Sequence, residues 1–192
     1  MAHEAAGIPA RPAAADTRVW RVDTKALVGA VLLGIVMVLV NQVTARLDTA
    51  LTGGTISAFS GSTWAIISAV SVRLFRQPAG VITGLIQAFV AIATATNPLA
   101  PAFLFANSLG PLAYSVVLRA RPDSGWGSHF LTQLAQNVVG NAATGVGVVV
   151  LLRVPLEFAV PAVLITAAIG IVASTLITKP ITDAVERSGV AE

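Results

Sequence analysis

Gln133, Asn137 and Asn141 recur at every fourth residue of an otherwise apolar run, with Gln136 beside them. At 1.5 Å of rise per residue this spacing draws a stripe of amides about 12 Å long on one helix face, continuing toward Thr144. An amide offers two N–H donors and a carbonyl acceptor and carries no charge. The chemistry open to such a stripe is therefore recognition, by hydrogen bonds to the ring nitrogens and exocyclic amines of a small solute. The same amides also serve as glue between helices, each contributing roughly 0.6 to 2 kcal/mol with no ligand present, and spacing alone leaves both roles open. Other apolar runs supply Thr83 and Gln87, then Asn107, Ser108, Tyr114 and Ser115, and earlier Ser57, Ser60, Trp64 and Ser68. In hydrocarbon an unpaired polar group is costly, so such side chains turn toward a bundle interior or a cavity. Trp64, Tyr114 and Phe103 or Phe105 are candidates to stack on a flat solute, although Trp64 reads more simply as an interfacial anchor. Asn97, in Asn97-Pro98-Leu99-Ala100-Pro101, reads first as part of a helix stop and start and second as a ligand contact.

Residues for covalent chemistry are scarce. The chain has no cysteine, and its two histidines, His3 and His129, do not form a paired ligand set, so neither a metal nor a thiol nucleophile is expected. Asp183 and Glu186 follow Lys179-Pro180 and read as a solvated tail. Gly140, Gly145 and Gly147 lack the preceding strand that a phosphate-cradling loop needs, and no Walker motif occurs. No catalytic residue and no cofactor is expected, and any ATP hydrolysis falls to other subunits. Between Gln77 and Leu118 the only ionisable side chain is Tyr114. A charged solute would need a buried partner of opposite sign, so the expected guest is neutral or zwitterionic and planar.

The elements that must position these residues are membrane helices. Of the 192 residues 55% are hydrophobic and 11% charged, and the mean hydropathy is +0.81. Six apolar runs, near 25–45, 56–75, 79–96, 101–119, 128–152 and 157–178, are each of the order needed to cross about 30 Å of hydrocarbon. The expected fold is an all-α integral membrane protein, a six-transmembrane-helix bundle over residues 23–180, with a flexible N-terminal tail over 1–22 and a C-terminal tail over 181–192. Residues 1–22 lack the apolar core of a cleaved signal peptide. Arg11, Arg18, Arg21, Lys25, Arg73, Arg76, Arg119, Arg121, Lys179 and Arg187 fall on one side of the spans, and only Arg46 and Arg153 on the other. Positive residues favour the cytoplasmic side, which predicts both termini there. No basic patch interleaved with aromatics points to nucleic acid.

Ala26, Ala30 and Gly34, four residues apart in the first run, form a ridge of small residues on which another helix backbone can pack closely. Spacing leaves open whether that helix belongs to this chain or to a partner. An Ala-x-x-x-Ala motif after a short basic lead, followed by six spans in under 200 residues, resembles the substrate-binding S-component of energy-coupling factor vitamin transporters. The middle of the chain is most similar to the YkoE group, associated with thiamine or its hydroxymethylpyrimidine moiety. The shared features are an aromatic at Trp64, the turns Arg76-Gln77-Pro78-Ala79-Gly80 and Asn97-Pro98, and Gly110-Pro111 in the fourth run.

The resemblance implies a multi-pass protein of a prokaryotic cell membrane that captures a vitamin or precursor. It implies docking through Ala26 and Ala30 on a transmembrane T-component that also holds two ABC ATPases. It further implies that the connection after helix one, Arg46 to Thr55 with Gly53-Gly54, caps the site, where residues alone suggest either a lid or a plain connector. The alternative is a self-sufficient carrier or facilitator for a small neutral solute, although neither internal repeats nor titratable groups in the spans favour it.

Overall fold

Each helix starts and stops where the sequence supplies a cap or a breaker. The computed structural model describes residues 19–53, 56–95 and 97–189. Helix α1 (Thr24–Thr52) opens on Asp23, whose carboxylate accepts the Ala26 N–H at 2.8 Å. It closes on Gly53, at φ 63°, whose N–H bonds the Thr49 carbonyl at 2.9 Å. A left-handed residue here is the ordinary use of glycine at a helix end. The Ala26 N–H, then the Arg21 side chain, hold the Asp23 carboxyl below its usual range. This cap is therefore in place at neutral pH and is lost as pH falls below the ordinary carboxylate range.

Helices α2 (Ala58–Phe75) and α3 (Ala79–Ala93) are separated by Arg76-Gln77-Pro78. Helix α4 (Ala100–Ala120) carries Pro101 in its first turn, where the missing N–H costs nothing. Helices α5 (Trp126–Leu152) and α6 (Leu156–Arg187) complete the order. Five of the six are long and apolar enough to span a membrane. The exception is α3, whose 15 residues reach about 22 Å.

Helix α2 touches all five others, which surround it in the order α1, α3, α4, α5, α6, and α1 and α6 do not meet among the described residues. Central placement explains why a Ser-rich segment of modest hydropathy spans the bundle: most of its surface faces other helices. Its hydroxyls are satisfied locally, Ser68 donating to the Trp64 carbonyl at 2.6 Å and Ser71 pairing with Thr83 of α3 at 2.8 Å. The outer helices leave apolar rows exposed, such as Leu27, Val31, Ile35 and Leu39 on α1 and Leu164, Val172 and Leu176 on α6. Rows of this kind fit lipid.

The small ridge of α1, expected as a docking face for a partner subunit, faces inward in this chain. Ala26 is 1% and Ala30 0% exposed, and Gly34 is buried. Thr83 of α3 donates its hydroxyl to the Ala30 carbonyl at 3.0 Å, and a Cβ on Gly34 would lie 2.7 Å from Cδ1 of Ile86. The ridge lets α1 approach α3 and α2 of its own chain, and the side facing outward is the bulky Leu and Val row.

Two helices run further than expected. Helix α1 continues through Arg46-Leu47-Asp48 to Thr52, so most of the presumed lid is helix, while Gly54 and Thr55 lie outside the described residues. The reason is Asp48, which is buried and accepts the Phe59 N–H at 2.9 Å, the Ser60 N–H at 2.9 Å and the Ser60 hydroxyl at 2.6 Å. It caps the first turn of α2 from the neighbouring helix, where orphan N–H groups and the positive end of the helix dipole favour a carboxylate. Asp48→Ala is expected to cost about 2 kcal/mol in unfolding of the detergent-solubilised chain, with Asp48→Asn losing about half as much.

Helix α6 likewise runs past residue 180 to Arg187, with Thr182 buried and donating to the Thr178 carbonyl at 3.0 Å, and Lys179 bonded to Asp183 at 2.6 Å. At the N-terminal side, residues 1–18 lie outside the described residues, while Arg21 N–H bonds the Gln77 carbonyl at 2.7 Å and Gln77 N–H bonds the Val19 carbonyl at 2.8 Å.

Candidate functional site

The amide stripe lies in the buried seam where α5 meets α2 and α6. Gln133, Gln136, Asn137 and Asn141 are all buried. Gln136 faces α2, its Nε2 donating to the Ala65 carbonyl at 3.0 Å and to Ser68 Oγ at 2.8 Å. Gln133 and Asn137 face α6: Gln133 Nε2 donates to Thr178 Oγ1 at 3.1 Å, and Asn137 Nδ2 lies 3.5 Å from Ser174 Oγ. Asn137 Nδ2 and Asn141 Nδ2 also bond back to the carbonyls of Gln133 and Asn137, each at 2.9 Å. Every amide N–H₂ thus has a protein partner, and the gluing role is real. Two carbonyls do not share it, for Gln136 Oε1 and Asn137 Oδ1 are buried without a donor.

Gly170 makes room for the second of these. A Cβ there would sit 2.3 Å from Asn137 Oδ1, so the glycine leaves the carbonyl room beside α6.

Trp64 is neither an interfacial anchor nor an open stacking platform. Its ring is wedged between α4 and α5 at two glycines: a Cβ on Gly110 would lie 2.7 Å from Cζ2, and one on Gly140 would lie 2.2 Å from Cη2. Trp64 sits in the first half of α2 and Gln136 near the middle of α5, which puts this layer well inside the bundle. Its indole Nε1–H is buried with no acceptor, and Gln136 bonds the carbonyl of Ala65, the residue after Trp64. One orphan donor, on α2, and one orphan acceptor, on α5, are therefore buried in this layer. Thr175 Oγ1, on α6, is also buried and unpartnered.

The remaining residues expected at the site fall elsewhere. Asn107 Nδ2 donates to the Gly84 carbonyl at 2.8 Å and to Gln87 Oε1 at 2.7 Å, making a separate polar pair between α3 and α4. That contact is close because Gly84 has no side chain; a Cβ would lie 2.5 Å from the Asn107 carbonyl oxygen, which Pro111, lacking an N–H, leaves unbonded within α4. Asn97 accepts the Leu99 N–H at 2.8 Å, half-buried in the α3–α4 turn. Phe105 is 66% exposed on the outer face.

Tyr114 is buried, and its hydroxyl accepts a hydrogen bond from Arg73 Nε at 3.0 Å, away from the amides. Sequence reasoning therefore gathered into one site residues that the bundle divides among three helix contacts and a turn. It also missed Gln77, which is wholly buried and donates to the Pro111 carbonyl at 2.9 Å and to Ser115 Oγ at 2.8 Å. A glutamine before proline in a basic turn has no sequence signal that separates it from a solvated loop residue.

No family model, curated protein or solved structure matches the chain. What fold and seam define is a class: a polytopic helical membrane protein with five helices of spanning length and a polar interior seam.

Proposed function

We propose that the chain is a membrane-embedded solute-binding subunit that takes a small planar solute, vitamin-like or a vitamin precursor, into the α2–α5–α6 seam. The observation that carries this reading is the orphan pair, Trp64 Nε1 and Gln136 Oε1, buried without partners in the middle of the bundle. In a low-dielectric interior each unpaired group is costly, and a solute presenting one acceptor and one donor along an edge relieves both. Recognition, with no bond made or broken on this chain, suffices for that role.

The resemblance to S-components supports placing this subunit in an energy-coupling factor importer, in a prokaryotic cell membrane, with a T-component and two ATPases as partners. The segregation of charge supports cytoplasmic termini: Arg21, Lys25, Arg119, Arg121 and Lys179 flank helix ends at one end of the bundle, and Arg46 and Arg153 lie toward the other. One observation favours the second reading, a self-sufficient carrier. The ridge of Ala26, Ala30 and Gly34 is occupied by the chain's own α3.

Copurification separates the two. Recovery of the tagged chain with a membrane partner and two ATPases supports the importer, and recovery alone, with solute uptake into liposomes, supports the carrier. Failure of both to appear removes transport as the function. Gln136→Leu breaks two interhelical bonds worth about 0.6 kcal/mol each on average in membranes. It is expected to fold nearly as well as the natural chain while losing solute binding or uptake by about tenfold or more.

A further inference from the structure

Arg73 was read from the sequence as a boundary charge in a cytoplasmic turn. It lies instead in the last turn of α2, 8% exposed, inside the contact of α2 with α4 and α5. Its guanidinium donates from Nε to Tyr114 Oη at 3.0 Å, from Nη1 to the Asp123 carbonyl at 3.2 Å and from Nη2 to Ser128 Oγ at 3.2 Å. All three acceptors are neutral. Among the described residues no carboxylate reaches ion-pair distance of Arg73. Asp183 is bonded to Lys179 at 2.6 Å, and the Asp123 carboxylate accepts the Gly125 N–H at 2.9 Å.

The surroundings add donors, with the Asp123 and Asp183 carboxylates near His129 but not paired with Arg73. Guanidinium has five N–H groups, of which the three bonds above use three. The Tyr114 hydroxyl accepts from Arg73, and its own proton finds no acceptor among the described residues. His129, which follows Ser128, is 0% exposed, and neither of its ring nitrogens has a partner. The negative end of the α2 dipole offsets part of the charge, but an unpaired buried cation still costs several kcal/mol.

We propose that the Arg73–Tyr114–His129 cluster binds a phosphate-type oxyanion, carried either by an anionic lipid headgroup or by a free ion. Donors on three residues from three helices suit a tetrahedral set of oxygens better than a planar carboxylate. The depth agrees with a headgroup: Lys179 stacks 5.5 Å over the Trp126 ring at the same end of the bundle, the pairing of base and aromatic found where a membrane meets water. The inference stands apart from the seam, because none of these three side chains bonds a seam amide.

The test uses the full chain at neutral pH in two arms. In dodecyl maltoside, inorganic phosphate is titrated against chloride at matched ionic strength; in nanodiscs, phosphatidylcholine is compared with phosphatidylcholine plus phosphatidylglycerol. A rise of about 3 °C or more in unfolding midpoint is expected in at least one arm, the first identifying a free ion and the second a lipid headgroup. Arg73→Gln is expected to lose the response, and Tyr114→Phe and His129→Phe to weaken apparent binding about tenfold. If Arg73→Gln does not fold, those two variants decide, since both keep the cation. No rise in either arm, or variants that respond like the natural chain, overturns the proposal. Gln136→Leu is expected to keep the anion response in full.

Discussion

Gly140→Val is expected to cost the isolated chain about 3 kcal/mol or more in reversible unfolding from detergent. At this position a Cβ alone meets Trp64 Cη2 at 2.2 Å, Cζ2 at 2.9 Å and Cζ3 at 3.1 Å. Gly110 of α4 lies against the same Cζ2–Cη2 edge, at 2.7 and 2.8 Å from a Cβ, which limits where that edge can retreat. Either the ring leaves its rotamer or α5 backs away from α2, and both outcomes open the layer that carries the amides. Trp64→Phe removes the part of the ring that reaches Gly140. The double variant Trp64→Phe with Gly140→Val is therefore expected to recover 1 to 3 kcal/mol relative to additivity, the range seen for residues in direct contact, roughly. Gly127→Ala supplies the control, since nothing lies within 4 Å of a Cβ there; it should be neutral or slightly stabilising, by at most about 1 kcal/mol.

Ala30→Leu is the second substitution with a large expected effect, and it separates an internal ridge from a docking ridge. Ala30 is 0% exposed and its carbonyl accepts the Thr83 hydroxyl at 3.0 Å. Three extra carbons at this contact push α1 off α3, at a cost of about 2 to 3 kcal/mol. The loss belongs to the isolated chain and needs no partner to be seen. Val31→Leu, one position round the helix on the exposed row, is expected to change stability by less than about 0.5 kcal/mol. If Ala30→Leu left the midpoint of the isolated chain unchanged while blocking recovery of a complex, the ridge would be a partner's face after all.

Much of the helical architecture was legible because lipid enforces it. Long apolar runs between Arg, Pro, Gly and Asn punctuation located all six helices, and Pro78, Pro101 and Pro155 stand at or near helix starts in the structure. The ends of α1 and α6 were illegible, since their last turns carry Asp48, Lys179 and Asp183, residues that look like loop until their partners on neighbouring turns and helices are known. Which way a small ridge faces was illegible for a similar reason. Ala26, Ala30 and Gly34 show that some helix packs there; that it is α3 depends on Thr83 and Ile86, more than 50 positions away in the chain.

The amide stripe was correctly read as buried, but periodicity does not say that Gln136 and Asn137, neighbours in sequence, turn to different helices. Arg73 shows the limit of reading charge as topology. Its place near the basic end agrees with the rule, yet the side chain folds inward because Tyr114, the Asp123 carbonyl and Ser128 converge there from α4, the following turn and α5.

The most direct measurement on the seam is native mass spectrometry of the gently solubilised natural chain beside Gln136→Leu. The expected result is a small-molecule adduct, below lipid mass, retained by the natural chain and lost from a folded Gln136→Leu. A spectrum showing no such adduct on the natural chain supplied with its growth medium, or the same adduct on both proteins, would contradict a solute site between Trp64 and Gln136.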